Sequence, residues 1–223
     1  MPIFFVALLF FPAHAAAASA EAMPSSTSLL PLENCRRSMV FTEGKYEGES
    51  MEMTLRQTED PGVWLLKIGA LLEAELLRND GGDLVLRSIT SPREQSVIDY
   101  SPPVILLPAA LRPELSIDQK VKTTVIDTET GETEYRTSIA HTLHAPSRTT
   151  FYTPGGSYSG YQVDISQQGT FGLSTLEASF SAGFVTGSGL IHANLTYTTD
   201  KPLFFGDRHS HIVEIAKPLA QAK

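Results

Sequence analysis

Val121-Lys-Thr-Thr-Val-Ile126, Asp127-Thr-Glu-Thr-Gly-Glu132 and Thr133-Glu-Tyr-Arg-Thr-Ser-Ile139 follow one another without a break. A β-branched run, a tight turn with a glycine and a second β-rich run predict an antiparallel hairpin. The period of two recurs on both sides. Ser50-Met-Glu-Met-Thr-Leu-Arg56 places Met51, Met53 and Leu55 on one face, and Phe151-Tyr-Thr153 and Tyr158–Ile165 flank the turn Pro154-Gly155-Gly156. Further strands fit Thr175–Phe180, Gly189–Thr198 and His211–Ile215. Val63–Arg78 fits two templates, because Leu65, Ile68, Leu72 and Leu76 would share a helical face. Asn79-Asp-Gly-Gly82 leading into Asp83–Arg87 makes the same stretch the first arm of a hairpin. The fold class expected is mainly β: one antiparallel, strongly curved sheet forming a half-open barrel, or a twisted sandwich.

Ser101-Pro-Pro-Val-Ile-Leu-Leu-Pro108 and the following Ala-Ala-Leu-Arg-Pro113 argue against a central strand, since proline donates no ladder hydrogen bond. The expectation is an apolar connector that crosses the open edge or mouth of the sheet and buries Val104, Ile105, Leu106 and Leu107.

The chain has 223 residues, 42% of them hydrophobic and 19% charged, with one cysteine and a net charge of −8. These values exclude a disordered acidic tail, a disulfide scaffold and a basic nucleic-acid binder. Ile3–Phe11 is apolar throughout and Ala18-Ser19-Ala20 offers a small-residue cleavage site, although no Lys or Arg precedes the apolar run. Residues 1–20 therefore read as a signal peptide, 21–40 as a flexible leader, 41–216 as the β-rich domain and 217–223 as a tail. The location expected is the periplasm or the exterior, with no transmembrane helix in the mature chain and no attraction to nucleic acid. Cys35 lacks the small residues that precede a lipidated cysteine.

From Pro102-Pro103-Val-Ile-Leu-Leu-Pro108 through the Asp127–Glu132 turn to Tyr152-Thr-Pro-Gly-Gly-Ser-Tyr158, the order of features resembles bacterial envelope domains of unknown function. In those domains a Leu-Leu-Pro connector precedes hairpins and a Thr-Pro-x-Gly turn feeds a strand. The resemblance covers Pro102 to Tyr197 and implies a half-open barrel of lipoprotein-carrier-like shape. It implies no catalytic residue. Glu114 stands where such domains carry glycine.

Candidate chemistry is sparse. His209 and His211 repeat at the strand period, and Asp207 shares their side, so the three could hold zinc or copper. The frame Gly156-Ser157-Tyr158-Ser159-Gly160 puts tyrosine where a nucleophile elbow needs serine. Glu73/Glu75 and Glu132/Glu134 read as solvated faces rather than paired acids. No cofactor is expected and catalysis is not. The main reading is a non-catalytic envelope protein that binds a lipid, another apolar ligand or a protein partner. Met53, Leu55, Phe151, Tyr161 and Phe180 would line the concave face; a metal site at His209, His211 and Asp207 is the alternative.

Overall fold

The computed structural model describes residues 23–92, 95–171, 174–201 and 204–219. One short helix, α1 (Ser26–Leu29), precedes β1 (Cys35–Gly44), β2 (Ser50–Gln57), β3 (Val63–Ile68), β4 (Leu72–Arg78), β5 (Leu84–Ser91), β6 (Ser96–Leu107) and β7 (Ile117–Asp127). After these come β8 (Thr133–Leu143), β9 (Ser147–Thr153), β10 (Gly156–Phe171), β11 (Ser174–Val185), β12 (Gly189–Lys201) and β13 (Phe204–Ile215).

Each strand pairs antiparallel with its sequence neighbours, except that β8 skips to β10 and β9 extends the line of β8 along the same strand. Twelve strands form a ring, and β1 pairs with β13 to join the two ends of the sheet. The barrel is therefore closed, not half-open and not a sandwich. Closure depends on a long-range pairing that a local period of two cannot announce.

Val63–Arg78 resolves as two strands, and the turn at Asn79–Asp83 closes the next hairpin through Asn79 Oδ1, which accepts from the Asp83 amide at 2.9 Å. At the Asp127–Glu132 turn, Asp127 Oδ1 accepts from the Glu129 and Thr130 amides, each at 2.8 Å. Hydrogen bonding from Thr130 leads the causes that hold this carboxyl below its ordinary value.

The proline segment is a correction. Ser96–Leu107 is one strand inside the ring, paired with β5 on one edge and β7 on the other. It tolerates Pro102 and Pro103 because the β7 ladder ends at Ser101↔Lys122, and the β5 ladder jumps from Asp99 to Val104 across a bulge. Val104 and Leu107 are fully buried while Ile105 and Leu106 are half-buried.

The inner face is apolar and the outer face polar. Along β7 and β8, Val121, Thr123, Ile139, His141 and Leu143 are buried, whereas Lys120, Lys122 and Arg136 are exposed. This is the reverse of a lipid-spanning barrel, whose apolar band faces outward. The acid pairs read from sequence lie on the solvated side: Glu73 bonds Lys67, and Glu75 bonds Arg87 and Ser88.

Within the stretch 21–40 expected as leader lie α1 and the first residues of β1. α1 caps one end of the barrel: Ser25 bridges to Ala110, Ser28 O accepts from the Gly187 amide at 2.7 Å, and Arg78 Nη1 donates to Ser26 Oγ at 2.9 Å. Leu29 and Leu30 drop into the barrel, at 0% and 6% exposure. The tail is also held at its start, where the Leu219 amide donates to Tyr158 Oη at 3.2 Å. The signal-peptide stretch lies outside the described residues.

Leu29→Ala removes a side chain with no exposed surface from a site that a four-residue helix cannot collapse around. Urea denaturation is expected to show a loss of about 3 kcal/mol.

Candidate functional site

The inward side chains leave a cavity of about 270 Å³ inside the barrel. At the α1 end it is sealed, since the lining residues Leu76, Leu84, Leu107 and Leu190 are at most 2% exposed. Toward the opposite end the lining residues Leu71, Leu72, Ile89, Ile98, Leu176 and Phe180 are only half-buried, so the open space lies there. Among the described residues the wall carries no Lys, Arg, Asp or Glu.

A polar chain crosses this wall. The Ile105 carbonyl can only accept, so His141 Nε2, 3.0 Å away, carries the proton and His141 Nδ1 is an acceptor. Gln167 Nε2 donates to Nδ1 at 3.1 Å, which leaves Gln167 Oε1 to accept from Tyr100 Oη at 3.3 Å. On the same stretch of β6, the Ile105 amide donates to Gln119 Oε1 at 2.8 Å. Gln119 and His141 thus serve both peptide groups of Ile105 where the prolines have ended the β7 ladder. Burial holds the His141 imidazole below its ordinary value, opposed by the bond to Ile105, and pushes the Tyr100 phenol up to about 12. His141 is neutral and Tyr100 protonated at physiological pH.

Of the residues expected to line a concave face, Phe180 lies on the cavity wall. Met53 and Leu55 point into the barrel but are 2% and 1% exposed, packed within the filled part of the core. Tyr161 is half-buried near the start of β10 and packs against the core. Phe151 sits elsewhere. Its ring lies 5.6 Å from that of His192 and fills the space above Gly183, on the face of β11 and β12 that looks away from Ala182 and Phe184. It secures the β9–β10 hairpin to the outside of the barrel.

His211 is buried at the wall and stacks on Tyr46 at 5.3 Å. His209 and Asp207 occupy β13 opposite Tyr197 and Thr199, and their side chains lie outside the described residues. Among the described residues no three His, Cys, Asp or Glu side chains converge as metal ligands. Tyr100, His141 and Gln167 were not singled out by sequence. Their signal is a polar residue at an inward position, as in Ile139-x-His141-x-Leu143 and Val163-x-Ile165-x-Gln167.

No protein-family model matches the chain, and no curated protein matches it in sequence. A solved structure similar to it is that of a "putative lipoprotein" from Parabacteroides distasonis, at 11% identity and a TM-score of 0.42, covering 85% of this chain and 97% of the other.

The direction of the His141 shift fixes a pH dependence. As pH falls below about 6.5 the unfolded chain takes up the proton first, so stability from this residue is complete above that value and declines until the lower folded-state value is passed. Urea midpoints measured from pH 7.5 to 5 are expected to fall more steeply for the native protein than for His141→Gln.

Proposed function

We propose that this protein is an exported, non-catalytic binder of one small apolar ligand, held inside the barrel with Phe180 on its wall. The supporting observation is the cavity: about 270 Å³ bounded almost wholly by apolar side chains in a barrel already closed by its own hydrogen bonds. A dry cavity of roughly 150 Å³ accepts benzene, so this one accommodates about ten non-hydrogen atoms. Export rests on the apolar Ile3–Phe11 stretch and the small residues after it. An exported binder meets ligands of limited solubility in water, for which an apolar interior is the suitable solvent.

Naphthalene, which is fluorescent and of this size, is the direct probe. It is expected to bind at one site per chain. Ala178→Phe, placed on the wall toward the open end, should weaken it by about tenfold or more, because the added ring occupies the space the ligand needs. Absence of binding to the native protein, together with no co-purifying apolar compound by native mass spectrometry and extraction, would overturn the reading.

A further inference from the structure

Taking the cavity as a ligand site, we propose that its ligand is a flat skeleton of two fused rings, lying against Ala182 and Ala193 in a slot between two opposed arcs of the barrel. The distribution of the lining residues carries this. Apart from Leu30 beside α1 and Leu71 in the β3–β4 turn, every lining residue belongs to β3–β6 or to β10–β13. Each strand of one arc stands six places round the twelve-strand ring from a strand of the other: β3 from β10, β4 from β11, β5 from β12 and β6 from β13. Among the described residues, β1 and β2 on one flank and β7 and β8 on the other contribute none. Their inward side chains are packed instead, with Phe41 and Leu55 on one flank and Val121 and Leu143 on the other at most 1% exposed. A tube down the middle of the ring would touch all twelve strands. A space that touches two opposed arcs and neither flank is a slot, closed at its sides where side chains of the arcs meet.

Side-chain size shapes the slot at one level. Ala182 pairs with Val163 on one side and Ala193 on the other, and Ala193 pairs with Val213, so one row of inward side chains crosses β10, β11, β12 and β13. All four are buried and all line the cavity. Two residues to either side of Ala182, on the same face of β11, stand Phe180 and Phe184, which pair with Leu195 and Leu190 of β12. The two alanines are therefore the floor of a shelf edged above and below by larger side chains. The row is three strand spacings wide, roughly 14 Å. About 270 Å³ spread over a face of that width, and of roughly equal height from Leu72 to Leu76, comes to about one layer of atoms. A fused pair of rings is one layer thick and lies across the shelf with both faces in contact. A saturated bicycle is thicker, and a chain leaves the width unfilled. Phe180 and Phe184 bring aromatic rings to the shelf's edges.

Three hydrocarbons of equal carbon number separate the shapes: naphthalene is flat, cis-decahydronaphthalene is the same skeleton bent and thickened by saturation, and decane is a chain. Each association constant, measured directly for naphthalene and by its displacement for the others, is divided by that compound's water-to-hexadecane partition coefficient. On this scale naphthalene is expected to bind about tenfold or more tighter than cis-decahydronaphthalene, the range for forcing excess volume into a packed interior, and tighter than decane. Leu195→Ala, at a half-buried position on the shelf's edge, widens the slot and should reduce the preference for the flat bicycle by about threefold or more while naphthalene binding persists. Equal corrected affinities for the two bicyclic compounds, tighter corrected binding of decane, or an undiminished preference in Leu195→Ala would overturn the inference and leave the apolar site standing. Failure of naphthalene to bind the native protein would overturn both.

Discussion

The ladder between β1 and β13 is the pairing on which the remaining architecture depends. Every other ladder in the ring joins strands close in sequence, and each of those hairpins could form in an open sheet. Only Met39↔Ile215 through Gly44↔His211 converts the meander into a ring. The join is close as well as distant. A Cβ at Gly44 would stand 2.3 Å from the Ser210 carbonyl oxygen, and its φ of +100° is one that other residues rarely adopt. With the ring closed, β1 and β13 no longer present unpaired edges, and the inward side chains are cut off from solvent all round. An interior then exists to be filled, capped or left open.

Closure also explains why the barrel spends buried polar groups on one seam. Pro102 and Pro103 cannot donate, so β6 parts from β7 beyond Ser101. Two unpaired peptide groups at Ile105, inside a closed wall, would be costly. Gln119 and His141 reach across from β7 and β8 to satisfy them, and His141 in turn needs Gln167, which needs Tyr100. A break in backbone pairing thus propagates through three side chains, His141, Gln167 and Tyr100, to the cavity surface. The polarity of that chain is set by its one invariant member, a carbonyl oxygen.

The strands and their turns were legible in the sequence because they are local: alternation at Met51, Met53 and Leu55, or the carboxylate of Asp127 beside Gly131, needs no knowledge of the rest of the chain. Closure was not, because nothing in Met39–Gly44 names Ile215 as its partner. The proline rule misled at Ser101–Pro108 for a definite reason. It concerns ladder donors, and here a bulge and two side chains take over the ladder's work. Phe151 and Phe180 had the same inward-or-outward signature in sequence, yet one pins the β9–β10 hairpin to the outer face and the other lines the cavity. That difference arises from where β9 lies, beyond the end of β8 and paired with β10 alone. His141 and Gln167 were visible as polar residues in apolar register, a departure from pattern that marks a network more reliably than it marks a ligand.

Whether an apolar interior is a core or a pocket depends on how side-chain volume is distributed around the ring. Twelve strands enclose more space than an eight-stranded barrel, which side chains alone can fill. Near β1 and β2 the interior is occupied by Met39, Phe41, Met53 and Leu55, all at most 2% exposed, and at the capped end by Leu29. On strands to either side of these, the inward positions of β4, β11 and β12 include Ala74, Ala178, Ala182 and Ala193. Alanine there leaves room that leucine would take. The same residue class therefore makes a core at some strands and a cavity at others, and the boundary between them follows from residue size rather than from hydrophobicity.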